Sequence, residues 1–275
     1  MPDPVLSDIF VYPVKSLAGI KVSSWQVNAK GLLHDRKWML IDNEHQFLSQ
    51  RKIPKMCLIK TQLTDSELTL SAEGYGCFSL PINPGDGETC NTTIWKDSCP
   101  ARTTSKQANQ WLSDFLGIQC QLVYQPDNVV RSVDPHYAKK TDQVNFSDGF
   151  PFLIVSEASM NALNSEMNLQ LGIERFRPNL VISECEAYAE DSWREISINN
   201  VGFRLPKPCS RCAVPTIDPA TAEKSKEPLR TLNRIRKWNK QVYFGQNALH
   251  DNLGELLVGN KVQILQIGAK QPPLR

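Results

Sequence analysis

Apolar and β-branched residues recur in short runs through the first half of the chain: Val5–Tyr12, Lys37–Asp42, Gln46–Leu48, Met56–Leu63, Glu67–Ala72, Cys77–Leu80 and Thr92–Trp95. Runs this short, bounded by turn residues, predict the strands of a barrel or sandwich. Pro81, Pro84, Gly85 and Gly87 mark a loop between two of them. One stretch has a different period. Ala108, Trp111, Leu112, Phe115 and Leu116 recur at helical spacing, which predicts a helix over Ser105–Leu116. Thr103, Thr104 or Ser105 would cap its start and Gly117 would end it. A strand over Ile118–Tyr124 follows. The polar stretch Gln125–Asp142 then reads as a long loop, with a domain boundary near its start.

In the second half, Pro151–Val155 predicts a buried strand and Ser156–Met167 a helix capped by Ser156. Leu180–Ser183 predicts another strand. Glu195–Ile198 and Val201–Leu205 form a hairpin about Asn199-Asn200, because Asn tolerates positive φ. That hairpin leads into L-P-K-P-C-S-R-C, after which Ala213–Ile217 reads as strand-like. Pro228 opens a helix with Leu229, Leu232, Ile235 and Trp238 inside and Arg230, Arg234, Arg236, Lys237 and Lys240 outside. Val242–Phe244, Glu255–Val258 and Lys261–Ile267 are closing strands, and the tail from Gln271 is expected to fray.

Composition narrows the function classes. The 275 residues suffice for two domains, and 41% hydrophobic with 22% charged residues is ordinary for a globular protein. A net charge of +2 gives no nucleic-acid footprint. No apolar run approaches a membrane span. The start, M-P-D-P-V-L-S-D, has neither the basic, apolar build of a signal peptide nor the Arg-rich character of a transit peptide. The expected location is cytoplasmic, with the eight cysteines reduced.

Chemistry concentrates at Cys209 and Cys212. A structural zinc site needs four ligands, yet the other cysteines stand singly and the four histidines are scattered. A redox pair usually opens a helix, which Ala213-Val214-Pro215 disfavours. One thiolate can instead complete the shell of a soft metal held by a sulfur-rich organic cofactor, with Arg211 favouring the thiolate. Two cysteines packed as small apolar residues is the plainer alternative. Spacing alone leaves these open. Lys15, Ser16, Arg36 and Arg177 suit anion contacts, though each singly also reads as a surface residue. There is no P-loop, dinucleotide fingerprint or G-x-S-x-G elbow.

Taken together, Y-P-V-K-S, D-R-K-W, F-R-P-N, Y-A-E-D-S-W, C-S-R-C with T-I-D-P, and F-G-Q occur in one order. The chain thereby resembles the MOSC-domain family, in the branch of the amidoxime-reducing components. The resemblance implies an α+β, β-rich fold: two β-barrel-like domains with a few packed helices, an N-terminal domain over 1–125 and a MOSC domain over 126–270. It implies Mo-molybdopterin, with Cys212 as metal ligand and catalytic centre. Lys15, Ser16, Arg36, Arg177, Asn179, Ser210 and Arg211 would bind the cofactor. Gly149-Phe150-Pro151 match a cofactor-lining turn, reading G-F-P where relatives carry T-S-P. Asn247 stands where relatives have an aromatic residue. Cys209 is not an expected ligand, and pyridoxal phosphate is not expected. The implied activity is reduction of N-hydroxylated compounds such as amidoximes and hydroxylamines. Electrons would come from a separate small acidic redox protein, of ferredoxin or cytochrome b5 type, docking near Arg230–Lys240. A molybdenum-cofactor or sulfur carrier without reductase activity is the alternative; a zinc or redox site using both thiols is a third.

Overall fold

The computed structural model describes residues 3–85 and 87–273. A nine-stranded sheet runs, edge to edge, through Val262–Ile267, Trp193–Ile198, Val201–Ser210, Gln241–His250, Phe152–Ser156, Leu180–Ser183, Val5–Val11 and Ile20–Val22, with Lys237–Trp238 branching off Gln241–His250. Its pairings are antiparallel except that of Phe152–Ser156 with Leu180–Ser183. The helix Glu157–Met167 makes that parallel crossover, as such a connection requires. Leu6, Ile9, Phe152, Ile154, Leu180, Ile196, Phe203 and Leu256 fill the core beneath this sheet. The chain's first strand therefore lies in the sheet built mostly by its second half: Ile9 pairs with Leu180.

A second core gathers Trp38, Leu40, Met56, Leu68, Leu70, Leu112, Phe115 and Leu122. Around it lie a four-stranded sheet, Trp38–Ile41, Gln121–Tyr124, Asp97–Thr103 and Thr89–Ile94, and the meander Lys60–Leu63, Glu67–Ala72 and Gly76–Pro81. The helix Lys106–Leu116 closes this half. Ser105 Oγ accepts from the Ala108 N–H at 3.1 Å, and Gly117 ends the helix at φ 72°. Ser156 likewise caps the second helix, accepting from the Ser159 N–H at 3.1 Å. Asn199, at φ 54°, turns the hairpin as its sequence implies. The fold is α+β and β-rich. Among the described residues, no helix is long and apolar enough to cross a membrane.

The expected elements are corrected in several places. Met56–Leu63 is split into a 3₁₀ turn at Pro54–Leu58 and a strand at Lys60–Leu63, since Pro54 fixes φ at the turn's start. Ala213–Ile217 is no strand: Val214–Thr216 winds as a 3₁₀ turn about Pro215. Gln46–Leu48 makes only isolated bridges. Asp97–Thr103, Ser24–Asn28 and Gly31–Leu32 are strands that the pattern does not announce. The third helix ends at Ile235, so the inside-outside reading fails beyond it. Arg236 is buried against Asp191 at 2.7 Å, and Trp238 is exposed. Gln271 is not frayed: its N–H donates to the Asp191 carbonyl and its own carbonyl accepts from Gln246. Leu274 and Arg275 lie outside the described residues.

A cationic cleft beside Cys212

The two halves meet at a cleft lined by Lys15, Ser16, Arg36, Arg51, Arg177, Arg211 and Cys212, among others. Lys15 and Ser16 come from the turn after Val5–Val11, and Arg36 from the segment leading into Trp38–Ile41. Arg177 ends a 3₁₀ turn before Leu180–Ser183, and Arg211 and Cys212 follow Val201–Ser210. Ser16, Arg36 and Arg177 have left-handed backbones, at φ 68°, 48° and 55°. Non-glycine residues seldom adopt that conformation, and three at one site mark it as specially built.

Tyr12 organises two of the cations. Its ring, 2% exposed, lies 4.4 Å from the Arg36 guanidinium carbon and 4.1 Å from that of Arg177. Asp35, buried beside them, accepts from the Tyr12 N–H at 2.8 Å and from Arg36 Nη1. Burial pushes the Asp35 carboxyl up, against the pull of Arg36. Arg36 Nη1 also donates to Asn179 Oδ1 at 2.9 Å, and Arg177 Nη1 donates to the Leu17 carbonyl at 2.6 Å. Burial lowers the pKa of Arg177 to about 10, with neighbouring Arg36 adding to the effect. Crowded cations of this kind favour an added anion.

Lys15 is 6% exposed; its ammonium donates to the Phe146 carbonyl at 2.7 Å and to Asp148 at 2.5 Å. Burial lowers its pKa, with Asp148 opposing. The Asp148 side chain is 57% exposed; desolvation within the cleft would raise its pKa, but Lys15 and Arg51 outweigh it and hold the carboxyl well below the usual range. Arg211 reaches inward: Nη1 donates to Cys209 Sγ at 3.0 Å and Nη2 to the Phe176 carbonyl at 2.7 Å. Its buried Nε has no partner among the described residues. An unpaired buried donor is costly and marks a place for an acceptor. Cys212 is exposed, and Arg51 Nη1 lies 3.6 Å from its sulfur.

Of the residues singled out from sequence, Lys15, Ser16, Arg36, Gly149, Phe150, Arg177, Asn179, Arg211, Cys212 and Asn247 line this cleft. Pro151 does not: it is buried against Gly31. Ser210 does not either; it is exposed and pairs with Tyr243. At Gly149 a Cβ would meet open space, so the G-F-P departure leaves room at that position, while Phe150 stands in the cleft wall. Asn247 donates to the Pro208 carbonyl at 3.4 Å. Gln50 and Arg51 were not legible as wall residues, since no spacing rule joins them to the motifs, whereas Phe176 opens F-R-P-N and Asp148 directly precedes Gly149. Tyr12 had a usable signal: an aromatic next to P-V-K-S, at the end of a strand.

The cleft encloses about 150 Å³. Gln50, Arg177 and Val214 also line a second cavity, of about 440 Å³. The enclosed part is smaller than the several hundred Å³ usual for a ligand pocket, so a cofactor held here would lie partly outside it. Among the described residues, Cys209 and Cys212 find no further His, Cys, Asp or Glu with which to hold a metal on protein ligands alone. One exposed thiol beside several cations fits a metal whose other ligands arrive with an anionic organic group.

Residues 4–119 match the MOSC N-terminal beta barrel domain and residues 141–263 the MOSC domain. The mouse mitochondrial amidoxime-reducing component 1 is 36% identical over 94% of this chain and 82% of its own length. The human protein of the same name is 35% identical over the same shares. A zebrafish molybdenum cofactor sulfurase is 31% identical over 90% of this chain but only 32% of its own length. With both domains in order and the two amidoxime-reducing components matched over most of their length, the chain belongs to the MOSC-domain family, in its mitochondrial amidoxime-reducing component-like branch.

Proposed function

We propose that this protein is a molybdenum-cofactor-dependent reductase of N-hydroxylated compounds. The observation that carries the reading is the exposed Cys212 thiol beside a cleft into which Lys15, Arg36, Arg177 and Arg211 bring charge from both halves of the chain. Cys212 would ligate the metal. Arg36, Arg177 and Arg211 would grip the phosphate of a molybdopterin, with the free Arg211 Nε as one donor. Lys15, Ser16, Gly149, Phe150, Asn179 and Asn247 would line its remainder. The bound cofactor would supply two-electron oxygen abstraction. An amidoxime, two electrons and two protons would give an amidine and water. On this reading the division into units at 1–125 and 126–270 serves to place cations from separate elements on one ligand.

The electrons would come from a separate acidic redox protein of ferredoxin or cytochrome b5 type. Residues 224–240 hold seven basic residues and one acidic, in a chain whose excess is only +2. The hairpin formed by Lys237–Trp238 and the start of Gln241–His250 adjoins the site, since the Arg211 N–H donates to the Val242 carbonyl at 2.8 Å. Complementary charge there would steer encounter. Reversing Arg234 and Lys237 should slow turnover with the native donor at low salt, and unchanged turnover would reject the dock.

A second reading, a cofactor or sulfur carrier, draws on Cys209, which also lines the cleft and accepts from Arg211. Two neighbouring thiols can pass sulfur between them. Cys209→Ala separates the two: it spares a reductase and cripples a carrier. The test of the main reading is metal and pterin analysis of protein from a cofactor-competent host, paired with amidoxime reduction by an artificial reductant. Protein holding zinc and no molybdenum would overturn it.

A further inference from the structure

Arg51 stands apart from the other cations of the cleft. Its Nη1 lies 3.6 Å from Cys212 Sγ, and Asp148, already bonded to Lys15, is 3.8 Å away. Its charge is therefore partly met within the protein. What it offers is a planar guanidinium set over the Trp95 ring. Its Cζ is 4.5 Å from the Trp95 ring centroid and 5.8 Å from that of Phe47, and the two rings are themselves 5.1 Å apart. The side chain is 21% exposed and lines the cleft.

The support behind it is built with care. Trp95 sits at the tip between the strands Thr89–Ile94 and Asp97–Thr103, at φ 58°. A bulky side chain in that region is an outlier that persists only when its surroundings over-determine it. Here they do. Trp95 Nε1 donates to Asp148 at 3.2 Å. Next to it, Asp97 pairs with Arg131 at 2.7 Å, and Arg131 donates to the carbonyls of Asn145 and Ser147 at 3.1 and 2.6 Å. The hairpin of the first half is thus fastened to the loop that carries Asp148. Arg51 itself is held from the other side, where Lys224 donates to its carbonyl at 3.2 Å.

We propose that Arg51, braced by Trp95, is the specificity-determining residue on the substrate side of the cleft. Its guanidinium face takes the flat conjugated body of an N-hydroxylated substrate and favours aryl over alkyl amidoximes. The inference rests on the reductase reading given above. A guanidinium stacks on π-systems in a way that a lysine ammonium does not reproduce, so plane and charge can be separated by substitution. Trp95 acts through Arg51, as a positioning residue.

The test compares benzamidoxime with acetamidoxime, using cofactor-loaded protein and an artificial reductant. In Arg51→Lys and Trp95→Ala, the ratio of kcat/KM for the aryl over the alkyl substrate should fall about five- to tenfold, carried by KM. Trp95→Phe keeps a ring and should retain most of the preference. An unchanged ratio, a common fall of both substrates in kcat, or loss of molybdenum from Arg51→Lys would overturn the proposal. Fluorine NMR of the 5-fluorotryptophan protein, oxidised and without reductant, gives an independent readout. Benzamidoxime should shift the Trp95 resonance, assigned by its loss in Trp95→Phe, and acetamidoxime should not. Should the wild type reduce neither amidoxime, the reductase reading falls. The NMR titration then decides this inference alone, and no shift with benzamidoxime overturns it.

Discussion

Asn179 ties the cleft to the sheet, and its removal should be felt in both. The residue is 1% exposed. Its Oδ1 accepts from Arg36 Nη1 at 2.9 Å and from the Leu153 N–H at 3.3 Å, and its Nδ2 donates to the Phe10 carbonyl at 3.2 Å. Asn179→Ala deletes one bond to a charged donor and two neutral ones, and strands their partners out of water. At about 2 kcal/mol for the charged bond and about 1 kcal/mol for each neutral one, the loss is roughly 4 kcal/mol. For a chain of this size that is a fall in Tm of about 8–16 °C. The same change frees Arg36 from one of its fixed contacts, leaving Asp35 and the Tyr12 ring, so molybdenum and pterin content should fall together. Urea unfolding and elemental analysis of the same preparation check both halves. A loss below about 1 kcal/mol, or full cofactor content in a clearly destabilised protein, would refute the claim that one amide serves both fold and site.

Other outcomes follow from single contacts. Burial and nearby Lys37 hold His34 down to about 4, so the unfolded chain takes up its proton first, and the contribution of His34 is lost as pH falls from about 6.5 to 4. The loss amounts to about 3 kcal/mol at most. His34→Asn suits the φ of 64° there and should flatten that part of the stability–pH curve, measured by urea unfolding at several pH values. A Cβ on Gly19 would sit 2.4 Å from Tyr12 Cε1, so Gly19→Ala should cost about 1–3 kcal/mol and lower cofactor retention by displacing the ring under Arg36 and Arg177. Arg236→Met leaves buried Asp191 without its cation and should cost about 3–5 kcal/mol in urea unfolding, with the cleft untouched.

How much of this was legible depended on whether the signal was local. Caps at Ser105 and Ser156, the Gly117 stop and the Asn199-Asn200 turn act within a few residues, so sequence pattern finds them. Arg236 and Trp238 were misjudged because the helix stops at Ile235, and a buried carboxylate 45 residues away decides which side chain turns in. Ala213–Ile217 has strand composition, but Pro215 and the turn hydrogen bonds outweigh it. At the site, the cations carried by short motifs were found. Arg51 was not, because its place is set by Trp95 and Asp148, far along the chain. The first strand's pairing with Leu180–Ser183 is likewise a long-range fact that no local pattern carries.

The most direct measurement of the central claim is molybdenum and pterin content, with amidoxime turnover, in the wild type and Cys212→Ser prepared side by side. The account predicts that the wild type carries both and turns over. The serine variant should keep pterin in the grip of Arg36, Arg177 and Arg211 while losing turnover and most of its metal. A serine variant with undiminished molybdenum and undiminished reduction would contradict it.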